Sequence, residues 1–552
     1  MPHVITDSCC NDASCVDVCP VNCIHPAPGE PGFGTAEMLF ISPDACIDCG
    51  SCVVECPVGA IVPDDELTPE QEPFLTLNAD FFDHGDWTDP GPGIPDERSP
   101  SPNGPLHVAI VGSGPAAFYA AQELLVHPNV AVDMFERLPT PYGLVRAGVA
   151  PDHQRTKEIE EVFAKIAAKP NFSYFLNVEV SEHITTHELS ERYHAVIYAV
   201  GASAGRRLTI AGNDLANVFS ATEFVGWYNG HPDHAALNVD LSCERAVVIG
   251  NGNVALDVAR ILALDPDELA RTDIADRALS QLRDSKISEV IVLARRGVAQ
   301  AAYTVGELLA LAQLEHVSLE IDPAELTVDE TTEAALRAGT LGFTAATKLR
   351  LAQDIADSSA TERRRITFRF LVTPTEITGS TSVTGVACTR NEFLGDAVTP
   401  TDRRVEFDAG LVVQAVGYES GPVIGLPFDE ERAVIPNVGG RVLTAPAGDV
   451  MPGTYVAGWI KRGATGGIGA NRRCGRETAR AVLDDHAAET LPAPVTGRDD
   501  VATLVERRGA RLVDDTGWRR IDLAERSAGA ELGRRRLKLT TVSDLESASA
   551  AS

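Results

Sequence analysis

The sequence predicts a small cysteine-rich α+β module followed by an α/β protein in which one strand–turn–helix unit occurs twice. Three observations carry this. Nine of the 12 cysteines fall before residue 57. The stretches Leu106–Ala117 and Arg245–Ala255 each run from an apolar, strand-length segment through Gly-x-Gly-x-x-Ala into a helical pattern. Between these two kinds of sequence, His84 to Gly104 is rich in Pro, Gly and Asp with little periodicity, which is linker composition.

The totals bound the function. A chain of 552 residues has room for about three or four domains. A net charge of −32 argues against nucleic-acid binding, because phosphate backbones need a basic surface. All 47 Lys and Arg residues lie from Arg98 onward, so the N-terminal part is purely acidic and suits a basic docking partner or simply solubility. No apolar run is long enough to span a bilayer, and Met1-Pro2-His3 opens neither a basic region nor an apolar core. A cytoplasmic protein is expected, and in a reducing compartment clustered cysteines are metal ligands rather than disulfides.

The module, residues 1–83, carries Cys46-x-x-Cys49-x-x-Cys52-x-x-x-Cys56-Pro57. Three thiolates at three-residue steps face one iron–sulfur cluster, and the fourth, followed by Pro, is directed to a neighbouring one. Zinc sites use paired Cys-x-x-Cys units rather than such a run of four, which disfavours zinc. An imperfect copy precedes it: Cys9-x-x-Asp12-x-x-Cys15-x-x-x-Cys19-Pro20. The crossed pattern gives Cys19, Cys46, Cys49 and Cys52 to a complete [4Fe-4S] site. Cys9, Cys15 and Cys56 go to a second site with Asp12 at its open corner. Iron accepts a carboxylate less firmly than thiolates, so the second site is expected to hold [3Fe-4S], or [4Fe-4S] with one labile iron. Cys10 and Cys23 lie nearby as alternative ligands, and packing is the favoured reading of both. Residues 3–61 resemble a seven-iron or two-cluster bacterial ferredoxin, through Cys-Pro-Val at Cys19–Val21 and Cys-Pro-Val-Gly-Ala-Ile at Cys56–Ile61. The shortened first motif departs from it. Thr68 to Phe82 is expected to finish the module as a tail, and a linker over 84–104 reaches roughly 25 Å, holding the module near its neighbour at around millimolar effective concentration.

In residues 105–203 the turn glycines Gly112 and Gly114, with Ala116 and Ala117 opening the helix, let the backbone approach a pyrophosphate. The free N–H groups and the helix dipole favour its charge. Val130–Phe135 is a second strand ending in Glu136, roughly twenty residues on, where a carboxylate accepts from ribose hydroxyls. Pro139–His153 reads as a loop, and His194–Gly201 as a strand closing the domain.

Residues 204–408 hold the second unit, with Gly252, Asn253 and Val254 at its turn. Here no carboxylate ends the following strand. Ser288–Ala294 runs into Arg295 and Arg296, and two guanidiniums suit a ribose 2′-phosphate, hence NADP rather than NAD. Val317 to Glu406 mixes helical signals (Glu333–Leu341) with strands (Arg365–Val372) and carries no evident chemistry. Residues 409–552 begin with a buried strand, Ala409–Gly417, read as returning the chain to the first domain. A strand follows into Trp459 and the glycine-dense turn Gly466, Gly467, Ile468, where backbone can approach a ligand closely. The end, from Ala487, reads as polar with short helical pieces, frayed over Ser543–Ser552.

Residues 106–530 resemble the adrenodoxin-reductase-type ferredoxin–NADP reductases. The likeness rests on Val-Gly-Ser-Gly-Pro-Ala at 111–116, Pro-Tyr-Gly-Leu-Val-Arg at 141–146, Ala-Pro-Asp-His at 150–153, Gly-Asn-Val-Ala-Leu-Asp-Val-Ala-Arg at 252–260, Ala-Arg-Arg-Gly at 294–297 and Gly-Trp-Ile-Lys-Arg-Gly at 458–463. The resemblance implies an α+β two-cluster ferredoxin followed by an α/β flavoprotein with two dinucleotide-binding domains, glutathione-reductase-like, for FAD and NADP. It implies FAD contacts from Glu136, Leu144, Val178, Trp459 and Gly466–Ile468, and NADP(H) contacts from Asn253, Val254, Arg295, Arg296, Glu307 and Gly466. His153 would lie by the isoalloxazine, and His153 and Trp459 are the residues expected at the reacting centre. The expected activity is NADPH-dependent ferredoxin reduction, with single electrons passing to clusters of the attached or a separate ferredoxin, or to a downstream redox protein such as a cytochrome P450. Two other readings fit the same motifs: an electron-input subunit of a larger complex, like the small subunit of glutamate synthase, and a redox or iron sensor that reports cluster state.

Overall fold

The computed structural model describes residues 2–83, 104–358 and 364–550. The expected linker, apart from Gly104, lies outside the described residues.

The module is built on short strands. His3–Ile5 pairs antiparallel with Ile61–Pro63, and Ile24–His25 with Phe40–Ile41. The segment expected as a tail is a helix, Glu72–Phe82, that buries Phe74, Leu77, Asn78 and Phe81. Asn78 knits it to the strands: its side-chain oxygen accepts from the amides of Ile5 and Ile41 at 3.2 and 2.9 Å, and its side-chain nitrogen donates to the Ile5 carbonyl at 2.8 Å. A module with so little sheet needs this helix, since fully burying a side chain such as Phe74 is worth roughly 1.5–3 kcal/mol.

The rest of the chain forms two large sheets. The first has seven strands in the order Asn437–Val438, Arg441–Leu443, Val450–Val456, Ala195–Tyr198, Leu106–Val111, Val130–Glu136, Phe172–Leu176. Its last five strands run parallel. The central strand Leu106–Val111 is almost wholly buried, as a strand covered on both faces must be. The second sheet has six parallel strands in the order Val218–Ser220, Leu411–Gln414, Arg245–Ile249, Glu289–Leu293, Arg364–Arg369, Val317–Ile321.

This order corrects one expectation. The strand inside Ala409–Gly417 does not return the chain to the first domain; Leu411–Gln414 sits inside the second sheet, between Val218–Ser220 and Arg245–Ile249. The chain rejoins the first sheet only at Asn437. A buried Val-rich strand shows its burial in sequence, but which sheet buries it is a tertiary choice. The mixed stretch before it forms a three-stranded antiparallel sheet, Val372–Gly379, Val383–Leu394 and Ala397–Asp408.

The C-terminal stretch is more ordered than its composition suggests. Asp515–Glu531 is a 17-residue helix, and Val542–Ala550 is helical with Leu545 buried in the first domain's core rather than frayed. Trp518 of the longer helix meets Tyr142 edge-on at 5.6 Å, and the Arg146 guanidinium lies 5.9 Å from its ring.

The module is seated on both halves of the larger part. Against the second unit, its core continues into Val305 and Leu309, Phe40 and Phe81 meet Phe343 edge-on at 5.4 and 5.3 Å, and Asp80 pairs with Arg350 at 3.0 Å. Against the first, Val58 and Ala60 enter the core that holds Phe118 and Tyr119, and Arg473 lies 5.7 Å over the ring of Phe33. Among the described residues, no helix is long and apolar enough to cross a membrane.

Candidate functional site: a crevice shared by three parts

The carboxyl ends of the two sheets and one face of the module enclose a crevice of about 2600 Å³. Ligands of open α/β sheets bind at this end of the strands.

On the first sheet, Leu106–Val111 ends at Gly112, whose φ is +99° and where a Cβ would stand 2.4 Å from the Ala199 carbonyl oxygen. Only glycine fits. Gly114 precedes the helix Pro115–Leu124 and faces open space in the crevice, where a side chain would fill the room a pyrophosphate needs. Ala116 lines the crevice, but Ala117 does not; it is wholly buried in the core beneath the helix. Glu136 closes the strand Val130–Glu136 and lines the crevice. Its carboxylate accepts from the amide and hydroxyl of Ser113 at 3.1 and 2.7 Å and from the Leu138 amide at 3.1 Å, with lone pairs left for a ribose diol. Leu144 lines the crevice, whereas Val178 is 1% exposed and packs inward with Phe135 and Val111. The FAD contact that the resemblance implies for Val178 therefore does not come from its side chain, which lies in the core.

Across the crevice, Gly252, Asn253 and Val254 open the helix Asn253–Ala263, and the Asn253 side chain accepts from the Thr304 amide at 2.8 Å. Arg295 and Arg296 follow the adjacent strand Glu289–Leu293, are exposed, and open on a separate cavity of about 580 Å³ lined also by Gln300, Asn391 and Phe393. From the C-terminal part come Trp459 and the turn Gly466, Gly467, Ile468, all on the crevice. The Trp459 indole donates to the Gly466 carbonyl at 3.1 Å, which ties the ring to the turn, and Tyr418 packs against it at 5.2 Å.

His153 sits at the centre, held by a charged network. Its Nε2 lies 2.8 Å from Arg260 and its Nδ1 4.0 Å from Glu307. The buried Arg260 also binds Asp152 at 2.6 Å, Asp257 at 2.6 Å and Glu307 at 3.4 Å. His153, Asp257 and Glu307 bring possible metal-ligand atoms within 4.8 Å of one another, but the guanidinium among them makes this an ion-pair network rather than a cation site. Burial pushes the Asp152 carboxyl up, yet Arg260 and His153 outweigh it and bring it down to about 2. Burial raises Glu307, against the pull of His153. Sequence reasoning missed Asp257, Arg260 and Tyr418; the first two stand i,i+3 on one helix, a spacing that puts them on one face.

The charges that bear on the cysteines broadly follow the two expected groups, although Cys52 also acts on Cys15. The thiols of Cys9, Cys15 and Cys56 are all raised, first by burial, and the charge of Asp12 raises each of them further. Cys9 reaches about 12. Cys52 is raised to about 11 by burial, then by Cys46 and Cys19, with Cys49 adding to it. Cys19 is lowered to about 5, chiefly by a hydrogen bond from Cys23, whose sulfur lies 3.4 Å away. Such buried, mutually repelling sulfurs suit iron, whose positive charge stabilises thiolates together. Cys10 stands with the Asp12 group, and its carbonyl accepts from the Gly469 amide at 3.0 Å.

Comparison with known proteins agrees with this construction. The family described as pyridine nucleotide-disulphide oxidoreductase matches residues 106–302, and the 4Fe-4S binding domain matches residues 39–62. A probable ferredoxin/ferredoxin–NADP reductase of Mycobacterium leprae is 50% identical over 99% of this chain and 97% of its own length. The NADPH-ferredoxin reductase FprA of Mycobacterium tuberculosis is 47% identical over 80% of this chain and 98% of its own. The solved structure of that organism's FprA in complex with NADPH aligns with a TM-score of 0.76 at 46% identity, covering 81% of this chain and all of the other. Half identical to a relative matched along nearly its whole length, the chain belongs to the ferredoxin/ferredoxin–NADP reductases, a ferredoxin fused in front of an FprA-type flavoprotein.

Proposed function

We propose that this NADPH-dependent reductase sends its electrons through its own N-terminal module before any separate acceptor receives them. One observation carries the reading: the module's first cysteine loop lies against the crevice wall, with the Cys10 carbonyl accepting from Gly469, one residue beyond the Gly466–Ile468 turn.

FAD supplies the conversion between the two-electron hydride of NADPH and the single electrons that clusters accept. The chain's own residues hold and orient. The turn at Gly112 and Gly114 takes the FAD pyrophosphate, and Glu136 the ribose. Trp459, fixed by Gly466, bounds the space for the ring and the nicotinamide. Arg295 and Arg296 select NADPH through its 2′-phosphate. Arg260 and Glu307 fix the position of His153 and the charge around it. Cys19, Cys46, Cys49 and Cys52 hold [4Fe-4S]; Cys9, Cys15 and Cys56 hold the second cluster.

The outer face of the module supports a protein acceptor. Cys49 is exposed there, and Ile47 and Val54 are 60% and 84% exposed among the exposed acids Asp44, Asp48 and Glu55. A separate ferredoxin, or a downstream redox protein such as a cytochrome P450 with a basic docking face, fits this surface in the cytoplasm.

Removing residues 1–83 tests the relay. FprA-type relatives match this chain over 80% of its length and 98% of their own, so a flavoprotein without the module is expected to fold. It should keep NADPH-driven ferricyanide reduction and lose most cytochrome reduction; unchanged cytochrome reduction would overturn the relay.

A further inference from the structure

We propose that the cluster of Cys9, Cys15 and Cys56 is the first station for electrons leaving the flavin, and that Tyr119 and Arg472, both from the flavoprotein part, complete its surroundings and set its potential. This rests on the relay proposed above.

The order follows from placement. Cys9, Cys10 and Cys56 pack against the first domain's own core, which continues into the helix Pro115–Leu124. On the other side of the loop, Gly469 comes so close that a Cβ there would meet the carbonyl oxygens of Asn11 and Cys10 at 2.1 and 2.2 Å. This loop therefore touches the same two helices whose N-termini line the crevice. Of the first group Cys9 lines the crevice; of the second only Cys19 does, while Cys46, Cys49 and Cys52 do not and Cys49 is exposed. Each transfer moves one electron, lost by the reduced flavin and gained by this cluster, with no bond made or broken in the chain.

The two residues follow from their contacts. Tyr119 is 4% exposed, and its hydroxyl has no hydrogen-bond partner among the described residues. Such a buried group is costly unless an acceptor reaches it. Tyr119 belongs to the core against which Cys9, Cys10 and Cys56 pack, and the charges of Cys10, Asp12 and Arg472 bear on its hydroxyl, which puts it on the Asp12 side of the loop. A cluster sulfide or cysteine sulfur is an acceptor of the kind this site lacks. Arg472 donates to the Asp12 carbonyl at 2.6 Å and places its guanidinium 3.7 Å from the Asp12 carboxylate and 3.9 Å from that of Asp17. The Asp12 carboxylate is further engaged by the Ser14 amide and hydroxyl. A donated hydrogen bond and a nearby positive charge both stabilise the reduced, more negative cluster.

The holoprotein is titrated by EPR at controlled potential. Tyr119→Phe and Arg472→Gln are each expected to disfavour reduction of the Cys9, Cys15 and Cys56 cluster about tenfold, 59 mV for one electron, and to leave the other cluster where it was. In Tyr119→Phe, iron, sulfide and FAD contents and the ferricyanide rate should not change. Equal potentials in both variants and the wild type, or a shift confined to the other cluster, would overturn the assignment of the two residues. The order is read from cysteine variants: after Cys15→Ala, dithionite but not NADPH should reduce the remaining cluster, whereas after Cys49→Ala NADPH should still reduce the first. The reverse pattern overturns the order. If NADPH reduces neither cluster in the wild type, the relay itself fails, while the potential shifts still decide Tyr119 and Arg472.

Discussion

Arg146 and Glu525, 379 positions apart in sequence, meet in a buried two-pronged ion pair with distances of 2.9 and 2.5 Å. Glu525 also receives Arg536 at 2.8 Å and the Leu539 amide at 2.8 Å. The arginine of the Pro-Tyr-Gly-Leu-Val-Arg motif, which also lines the crevice, thus fastens the helix Asp515–Glu531 over the first domain. Breaking a buried pair leaves its partner charged and unsolvated, so Glu525→Ala should destabilise the flavoprotein by about 3–5 kcal/mol. Thermal unfolding followed by flavin fluorescence would show it; an unchanged melting temperature would refute the account.

Asn78 predicts a fault confined to the module. Asn78→Ala strips the Ile5 and Ile41 amides of their acceptor, and an unsatisfied buried donor costs about 1–3 kcal/mol. Cluster absorbance should then be lost at lower urea concentration than in the wild type, while FAD release keeps its midpoint.

Arg295 and Arg296 predict a change of nucleotide preference. Charge-assisted hydrogen bonds are worth about 1.5–3 kcal/mol, so replacing both by Ala should raise KM for NADPH about tenfold to a hundredfold. The NADH constants should barely move. A parallel rise with both nucleotides would mean that the pair does not read the 2′-phosphate.

Asp152 predicts an acid limb. Its carboxyl lies at about 2 in the folded protein against an ordinary 3.8, so the fold favours the charged form. The resulting stability is fully present above about pH 4 and is lost as pH falls through 2, amounting to about 2 kcal/mol. Asp152→Asn should lower stability at neutral pH and flatten this limb; a variant with the wild-type acid profile would show that the ion pair with Arg260 does not contribute.

Much of the architecture was legible because the decisive signals are local. Gly112 and Gly250 each follow a buried strand and precede a helix, and turn chemistry alone reveals that. The spacing of Cys46, Cys49, Cys52 and Cys56 likewise announces the 4Fe-4S domain matched over residues 39–62. What could not be read depends on partners distant in sequence. Leu411–Gln414 looks the same whichever sheet receives it. Ala117 follows a turn that faces a ligand and the resemblance implies Val178 beside FAD, yet each points its own side chain into a core. Arg260 becomes the hub of the His153 network only when Asp152 and Glu307 arrive from other segments. The Glu72–Phe82 helix has a weak pattern because part of its apolar surface meets the neighbouring unit instead of its own module.

The seating of the module on both halves shifts where acceptor choice is made. A diffusing carrier that came to the Gly469 face would find the ground already taken by the Cys9–Asp12 loop. On the relay proposed above, recognition of outside proteins moves from the flavoprotein to the acidic surface around Cys49. Swapping physiological acceptors in this lineage would then require rewriting only a few exposed positions of the small N-terminal part, with the nucleotide machinery left alone.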